Sequence, residues 1–245
     1  MTRPVGGSTF RMQLRDSPRL LAVFCAEIDV ERSNYDEKLA LILRTAAGVF
    51  AKKGYHRASI RDISRATGVS LSGLYYYFDS KEELLFLIQD QCFRTVLDNL
   101  DALIADVEDP RRRLRLLVDN HLRFFVGHMD EMKVLSHEAD SLSGDYRRRV
   151  DDLKRRYSRL CAGMVEALKP ADSTVDVRVA TFALFGMMNW IYNWYQPDRD
   201  VPVQKLAEDM TRLFLEGHLG VGRTDAVPDA DGPAAGDRSP SIWGR

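Results

Sequence analysis

The 245-residue chain has only three cysteines, Cys25, Cys92 and Cys161, far apart and odd in number. They make no disulfide framework and no Cys-x-x-Cys zinc pair, so a reducing cytoplasm is expected. No apolar run reaches the roughly 18 to 20 residues needed to cross a bilayer. The short run Leu20–Ala26 is followed by Glu27 and Asp29, not by a small-residue cleavage site, which argues against a signal peptide. Strand signals are nearly absent: there is no Asn-Gly hairpin turn and no long alternating β-branched run. Also missing are a Gly-rich phosphate loop, Gly-x-Ser-x-Gly and His-Glu-x-x-His, so no enzyme activity and no cofactor are expected. Net charge is nearly absent too, at −1.

That neutrality is an average. Residues 35–81 carry eight basic and four acidic side chains, whereas residues 82–220 carry 19 basic and 24 acidic ones. A basic head on an acidic body points to nucleic acid at one end.

What is present reads as helix almost throughout. From about Asp36 to Lys53, Leu39, Ile42, Leu43, Ala46, Ala47, Val49 and Phe50 recur at spacings of three and four, ending in two lysines and Gly54. Ser59 with Asp62 opens a second helix, which stops at Gly68, and Ser70 caps a third over Leu71–Tyr77. Ser80 with Glu83 opens a long helix to about Val107, and Asp109-Pro110 another to about Val126. Further helices are expected at about Asp130–Ala139, from Ser143-Gly144 to Leu168, from Asp172 or Ser173 to Tyr195, and from Pro202 to Leu219. The expected fold class is all-α, with about nine helices. Within residues 1–34 the stretch 20–28 could form a short helix, but its flanks give no capping logic, and the segment is set aside as an N-terminal extension of uncertain order. Residues 221–245, rich in Gly, Pro, Asp and Ala, read as a disordered tail.

Residues 45–81 carry the functional signal. Two short helices joined by a tight turn at Gly68, with the helix before them, have the form of a three-helix helix-turn-helix unit. Phe50, Ile60, Ile63, Ala66, Val69, Leu74 and Phe78 would supply its core. Ser70, Ser72 and Gly73 are small residues at the start of the recognition helix, where a phosphate can approach free backbone N–H groups. Tyr75 and Tyr76 would present hydroxyls on aromatic platforms, and Lys81 would pair with a phosphate. Lys52, Lys53 and Arg57 are either solvated charges or phosphate contacts.

The string Ala46 to Leu85 includes Gly68-Val69-Ser70, Gly73-Leu74-Tyr75-Tyr76-Tyr77-Phe78 and Ser80-Lys81-Glu82-Glu83-Leu84-Leu85. It resembles the DNA-binding domain of the tetracycline-repressor (TetR/AcrR) family. The resemblance implies an all-α homodimer. A head at 35–82 would bind a palindromic DNA operator; a body at 83–220 would bind a small molecule and dimerise through its last two helices. By motif position it adds Ser59 and Tyr77 to the candidate DNA contacts Ser70, Ser72, Gly73, Tyr75, Tyr76 and Lys81. Position 77 is often His in the family, and Leu71 stands where a polar residue is common.

The segment 182–196 is apolar nearly all round, as expected of a helix with a ligand cavity on one side and a second subunit on the other. Its stretch Gly186–Pro197 resembles the branches of the family that respond to fatty-acyl or sterol-derived acyl-CoA. Phe124, Phe182, Phe185, Gly186, Asn189, Trp190 and Asn193 are the candidate effector contacts. A drug or aromatic effector is the alternative, and a helical ligand-binding protein or enzyme without DNA binding is the alternative of another class. His121, His128 and His137 are too scattered to specify a metal site. The arginines at 111–113 and 147–149, with Arg155 and Arg156, read as exposed helix faces offset by Asp145, Asp151 and Asp152, or as partners for CoA phosphates.

Overall fold

The computed structural model describes residues 18–220 apart from Ala139, with side chains from Asn34 to Gly217. The expected tail at 221–245 and the first 17 residues lie outside the described residues. Nine α-helices and one 3-10 helix are described, with no strand among them. They are α1 (Pro18–Lys53), α2 (Ile60–Thr67), α3 (Leu71–Leu74), α4 (Lys81–Ile104), α5 (Pro110–Val126), α6 (Met129–His137), α7 (Gly144–Glu166), α8 (Val177–Asn189), the 3-10 helix Trp190–Asn193 and α9 (Val203–Gly220).

The first helix differs most from expectation. It begins at Pro18, not near Asp36, and runs 36 residues without a break. At 1.5 Å per residue that is about 54 Å. No glycine or proline lies between Leu20 and Gly48 to stop it. The third helix is shorter than expected. It ends at Leu74, and the backbone tightens to an i→i+3 bond from the Tyr77 amide to the Leu74 carbonyl. The helix expected to reach Tyr195 turns 3-10 after Asn189, ahead of Pro197.

Two hydrophobic cores organise the chain. The head core gathers Ile42, Ala46 and Phe50 from α1, Ile63, Leu74, Phe78, and Leu84, Leu85, Phe86 and Ile88 from α4. It also takes Val134 from α6, Leu142, and Val150 from α7. The body core holds Val96, Leu97, Leu100 and Ile104 from the far end of α4, with α5, α7, α8 and α9 around them. Thus α4 runs through both. Of the expected head core, Phe50, Ile63, Leu74 and Phe78 are buried, and Ile60 and Val69 are partly so. Ala66 is a correction: it is exposed, in an open groove between α2 and the Gly48–Lys52 stretch of α1.

Candidate nucleic-acid interface and effector cavity

The head builds its caps from short-range bonds. Ser59 caps α2: its Oγ accepts from the Asp62 amide at 3.2 Å, and its own amide donates to the Asp62 carboxylate at 3.0 Å. Lys53 pairs with the same carboxylate at 2.6 Å. These contacts hold the Asp62 carboxyl far below the usual range. Gly68 ends α2 in the left-handed region, at φ 71°, where a side chain would strain the backbone. The Ser64 hydroxyl donates to the Val69 carbonyl at 2.6 Å and closes the turn.

The candidate DNA contacts divide on inspection. Ser70, Ser72, Tyr75 and Tyr76 form one exposed ridge, with Tyr75 50% and Tyr76 72% exposed. Leu74 and Phe78 point inward, as the helical spacing requires. Ser59 is exposed, but its hydroxyl donates to Asp62 at 2.8 Å. The Gly73 amide is not free; it donates to the Ser70 hydroxyl at 3.1 Å. A Cβ on Gly73 would lie 3.0 Å from Val69 Cγ1, so Gly73 is there for close packing of α3 on the turn. Lys81 is turned inward. Its ammonium donates to the Tyr55 and Ala58 carbonyls at 3.0 and 3.1 Å and lies over the Tyr55 ring. Tyr77 is half-buried and stacks on Tyr35 of α1, with ring centres 4.9 Å apart, while Tyr35 meets the edge of Tyr76 at 5.8 Å. Sequence reading missed Tyr35, which sits one residue before the periodic stretch begins. Of the flanking cations, Lys53 is tied to Asp62, and Arg57 donates to the Lys53 carbonyl at 3.0 Å.

In the body, a cavity of about 340 Å³ lies among five helices. Phe93 and Val96 come from α4, His121 and Phe125 from α5, and Met132, Leu135 and Ser136 from α6. Lys154, Tyr157 and Ser158 come from α7; Phe182, Phe185 and Asn189 come from α8. The His121 Nδ1 lies 3.0 Å from the Tyr157 hydroxyl, and its Nε2 is buried and completes no hydrogen bond of full geometry. Burial lowers the imidazole to about 3, against the opposing hydrogen bond of the Asn189 side chain. Burial likewise pushes the Tyr157 phenol well above its ordinary value.

Three of the seven expected effector contacts, Phe182, Phe185 and Asn189, line this cavity. The other four do not. Phe124 stacks on His128 at 4.2 Å and faces a separate groove beside Leu41 and Arg44 of α1. Gly186 and Trp190 lie on an outer apolar face with Met187, Trp194, Leu206, Met210 and Leu213. Asn193 is exposed and donates to the Trp190 carbonyl at 3.5 Å. The reason is helical rotation: about 100° separates Phe185 from Gly186 around α8, and Trp190 and Asn193 lie in the 3-10 helix beyond its end. His121, Tyr157 and Lys154 were missed. A signal existed for the first: Leu117, His121 and Phe125 repeat at four-residue steps on one stripe. His121, His128 and His137 face different surroundings: the cavity, the Phe124 groove and the Tyr192 ring. Of the arginine-rich faces, Arg147, Arg148, Arg155 and Arg156 are paired with carboxylates, Arg149 lies over the Phe86 ring and Arg113 donates to the Val107 carbonyl.

Known families match both parts. Residues 42–88 match the family of bacterial regulatory proteins described as the tetR family, and residues 107–218 match a tetracyclin repressor-like C-terminal domain. The chain is 32% identical to a TetR-family transcriptional regulator from Bordetella parapertussis 12822, over 74% of this chain and 96% of that one, with a TM-score of 0.68. The chain belongs to the TetR family. Among its relatives is the HTH-type transcriptional repressor KstR2 of Rhodococcus jostii (strain RHA1), 28% identical over 72% of this chain and 88% of that protein. They also include AibR, solved in complex with isovaleryl coenzyme A and operator DNA; it is 26% identical over 72% of this chain and 97% of that one, with a TM-score of 0.63. The two family matches fall on the head and the body, and the boundary between them falls within or just beyond α4. No described helix is long and apolar enough to cross a membrane.

Proposed function

We propose that this family member is a cytoplasmic, non-enzymatic repressor that binds a palindromic operator as a homodimer and is released by a small hydrophobic effector. The observation that carries the reading is the exposed ridge Ser70–Ser72–Tyr75–Tyr76, raised on a fully capped helix-turn-helix. Ser70, Ser72, Tyr75 and Tyr76 make the contacts to DNA. Ser59, Gly73, Tyr77 and Lys81 hold the ridge in place. In a dimer, two such ridges enter successive major grooves about 34 Å apart.

The dimer face is the apolar surface of α8, the 3-10 turn after it and α9, where Trp190, Trp194 and Leu213 are 53%, 46% and 66% exposed. Apolar area of that extent on one face calls for a partner. The effector enters the cavity between α4 and α8. A fatty-acyl or sterol-derived acyl-CoA fits the relatives' chemistry, since AibR was solved with isovaleryl coenzyme A. The four phenylalanines of the lining favour an aromatic compound as a second reading. Coupling runs through α6. One side of α6 lines the cavity with Met132 and Leu135; its other side places Val134 in the head core. Just beyond it, Glu138 accepts from the Tyr55 amide at 3.2 Å. An effector that favours a shifted α6 must weaken operator binding, because the two equilibria are linked.

The test is fluorescence anisotropy with fragments from the gene's own promoter region at physiological salt. Preferred, salt-sensitive binding is expected, and Tyr76→Ala should lower affinity by about tenfold with the dimer intact. No preference over random DNA would end the reading. Unchanged affinity in Tyr76→Ala would remove Tyr76 from the contact set.

A further inference from the structure

We propose that the cavity takes a compact acyl group on an anionic head, with His121 reading the acyl oxygen and Lys154 pairing with the head. The proposal rests on the effector reading of the cavity given above.

The His121 part follows from hydrogen-bond bookkeeping. The Tyr157 hydroxyl is buried, and its partner among the described residues is His121 Nδ1 at 3.0 Å. A buried phenol must donate its proton, and Nδ1 is the acceptor within reach. The imidazole proton then sits on Nε2, which completes no hydrogen bond of full geometry although the Asn189 side chain reaches the ring, so a ligand oxygen has only Asn189 to displace. The ring is neutral, because burial holds it far below physiological pH. A buried, fixed N–H donor in an apolar cavity is costly when unmet and is satisfied by a carbonyl oxygen. A site built this way favours ligands that supply the acceptor over those that lack it.

The Lys154 part follows from charge. Its side chain lines the same cavity, half-buried, with the ammonium 5.9 Å from the centre of the Phe93 ring. It forms no ion pair among the described residues, whereas Arg147, Arg148, Arg155 and Arg156 of α7, which do not line the cavity, are paired with carboxylates. A second cation stands near: the Arg178 guanidinium lies over Phe182, a lining residue that is 56% exposed. A ligand with its anionic end toward these cations would give Lys154 the direct partner that Asp151 and Asp140, acting from farther off, do not supply. Size follows from volume. About 340 Å³ is at the small end of the roughly 300–1,000 Å³ usual for ligand pockets. A short to medium acyl chain suits it better than a long chain or a full sterol nucleus.

The experiment is calorimetric titration of the full chain with four probes: octanoyl-CoA, its uncharged analogue S-octanoyl-N-acetylcysteamine, octanoate and palmitoyl-CoA. Octanoyl-CoA should bind tightest, and the uncharged thioester about tenfold or more weaker. Lys154→Met should cost octanoyl-CoA about tenfold and leave the uncharged thioester unchanged. His121→Phe should weaken both thioesters, and Tyr157→Phe should do so to a smaller extent, because the tautomer is no longer fixed. Equal affinity of the parent protein for the two octanoyl thioesters would overturn the anionic-head assignment without any variant. No effect of His121→Phe on either thioester would overturn the oxygen-reading role, and tighter binding of palmitoyl-CoA would overturn the compact chain. Operator affinity is measured in parallel without ligand. A parent that binds its operator but none of the probes sinks this proposal and leaves the DNA reading standing. A parent that prefers no operator sinks that reading whatever the titrations give.

Discussion

Head and body solve their problems over different distances along the chain. In the head, Ser59 bonds Asp62, Ser70 bonds Gly73, Ser64 bonds Val69 and Ser80 bonds Glu83, each within five positions. In the body, the cavity draws on five helices, from Phe93 to Asn189. Local hydrogen bonding shapes the first site; the packing of distant helices shapes the second. The first can therefore be stated as a motif, whereas the second exists only once α4 to α8 have been brought together.

If the two regions nonetheless fold as one, a wound in either should be felt by both. Leu74→Ala removes a fully buried side chain from the head core and should cost about 2–5 kcal/mol. Urea denaturation of a Trp243→Phe background followed by tryptophan fluorescence reports it, because Trp190 and Trp194 lie in the body. A body transition that ignores the head mutation would show two independent units. Next in size is acid. The folded state depresses the His121 pKa to about 3, so the unfolded chain binds the extra proton and stability falls as pH drops through the ordinary histidine range. Between pH 7 and pH 5 this histidine should account for about 2 kcal/mol, by the linkage relation. His121→Gln should flatten that slope in paired melts; parallel slopes would mean that the ring is not held neutral. The smallest effect should come from Tyr35→Ala, which takes away the ring stacked on Tyr77 and edge-on to Tyr76. Aromatic pairs contribute roughly 0.5–1.5 kcal/mol, so operator affinity should drop a few-fold, and Tyr35→Phe should restore it. Equal affinity for Tyr35→Ala and the parent would confine the head to residues after Asp36.

Much of the head was legible in advance, down to the caps at Ser59, Ser70 and Ser80 and the inward turn of Leu74 and Phe78. Capping and helical spacing are local, and local rules apply before any tertiary contact forms. The placement of Lys81 and Gly73 was not legible, because their partners, the carbonyls of Tyr55 and Ala58 and the side chain of Val69, become neighbours only when the turns close. The body is harder. Phe124 and Phe125 are adjacent and equally apolar, yet Phe125 lines the cavity and Phe124 turns to the groove beside α1. About 100° of rotation per residue separates them, and composition does not say which face of α5 meets which neighbour. Trp190 went astray for the same reason. The start of α1 was missed because Pro18 and the residues after it carry no cap and little periodicity, while nothing in the stretch breaks a helix.

The shared helix α4 sets the rule for anyone wishing to transplant this head onto another sensor. A cut at residue 82 would strip Leu84, Leu85, Phe86 and Ile88 from the head core. Even a cut beyond Ile88 leaves the places of Val134, Leu142 and Val150 to be filled by the recipient. The unit of exchange is thus a surface to be matched rather than a stretch of sequence to be copied. A chimera would inherit its switching from how well the recipient's α6 counterpart refills that gap.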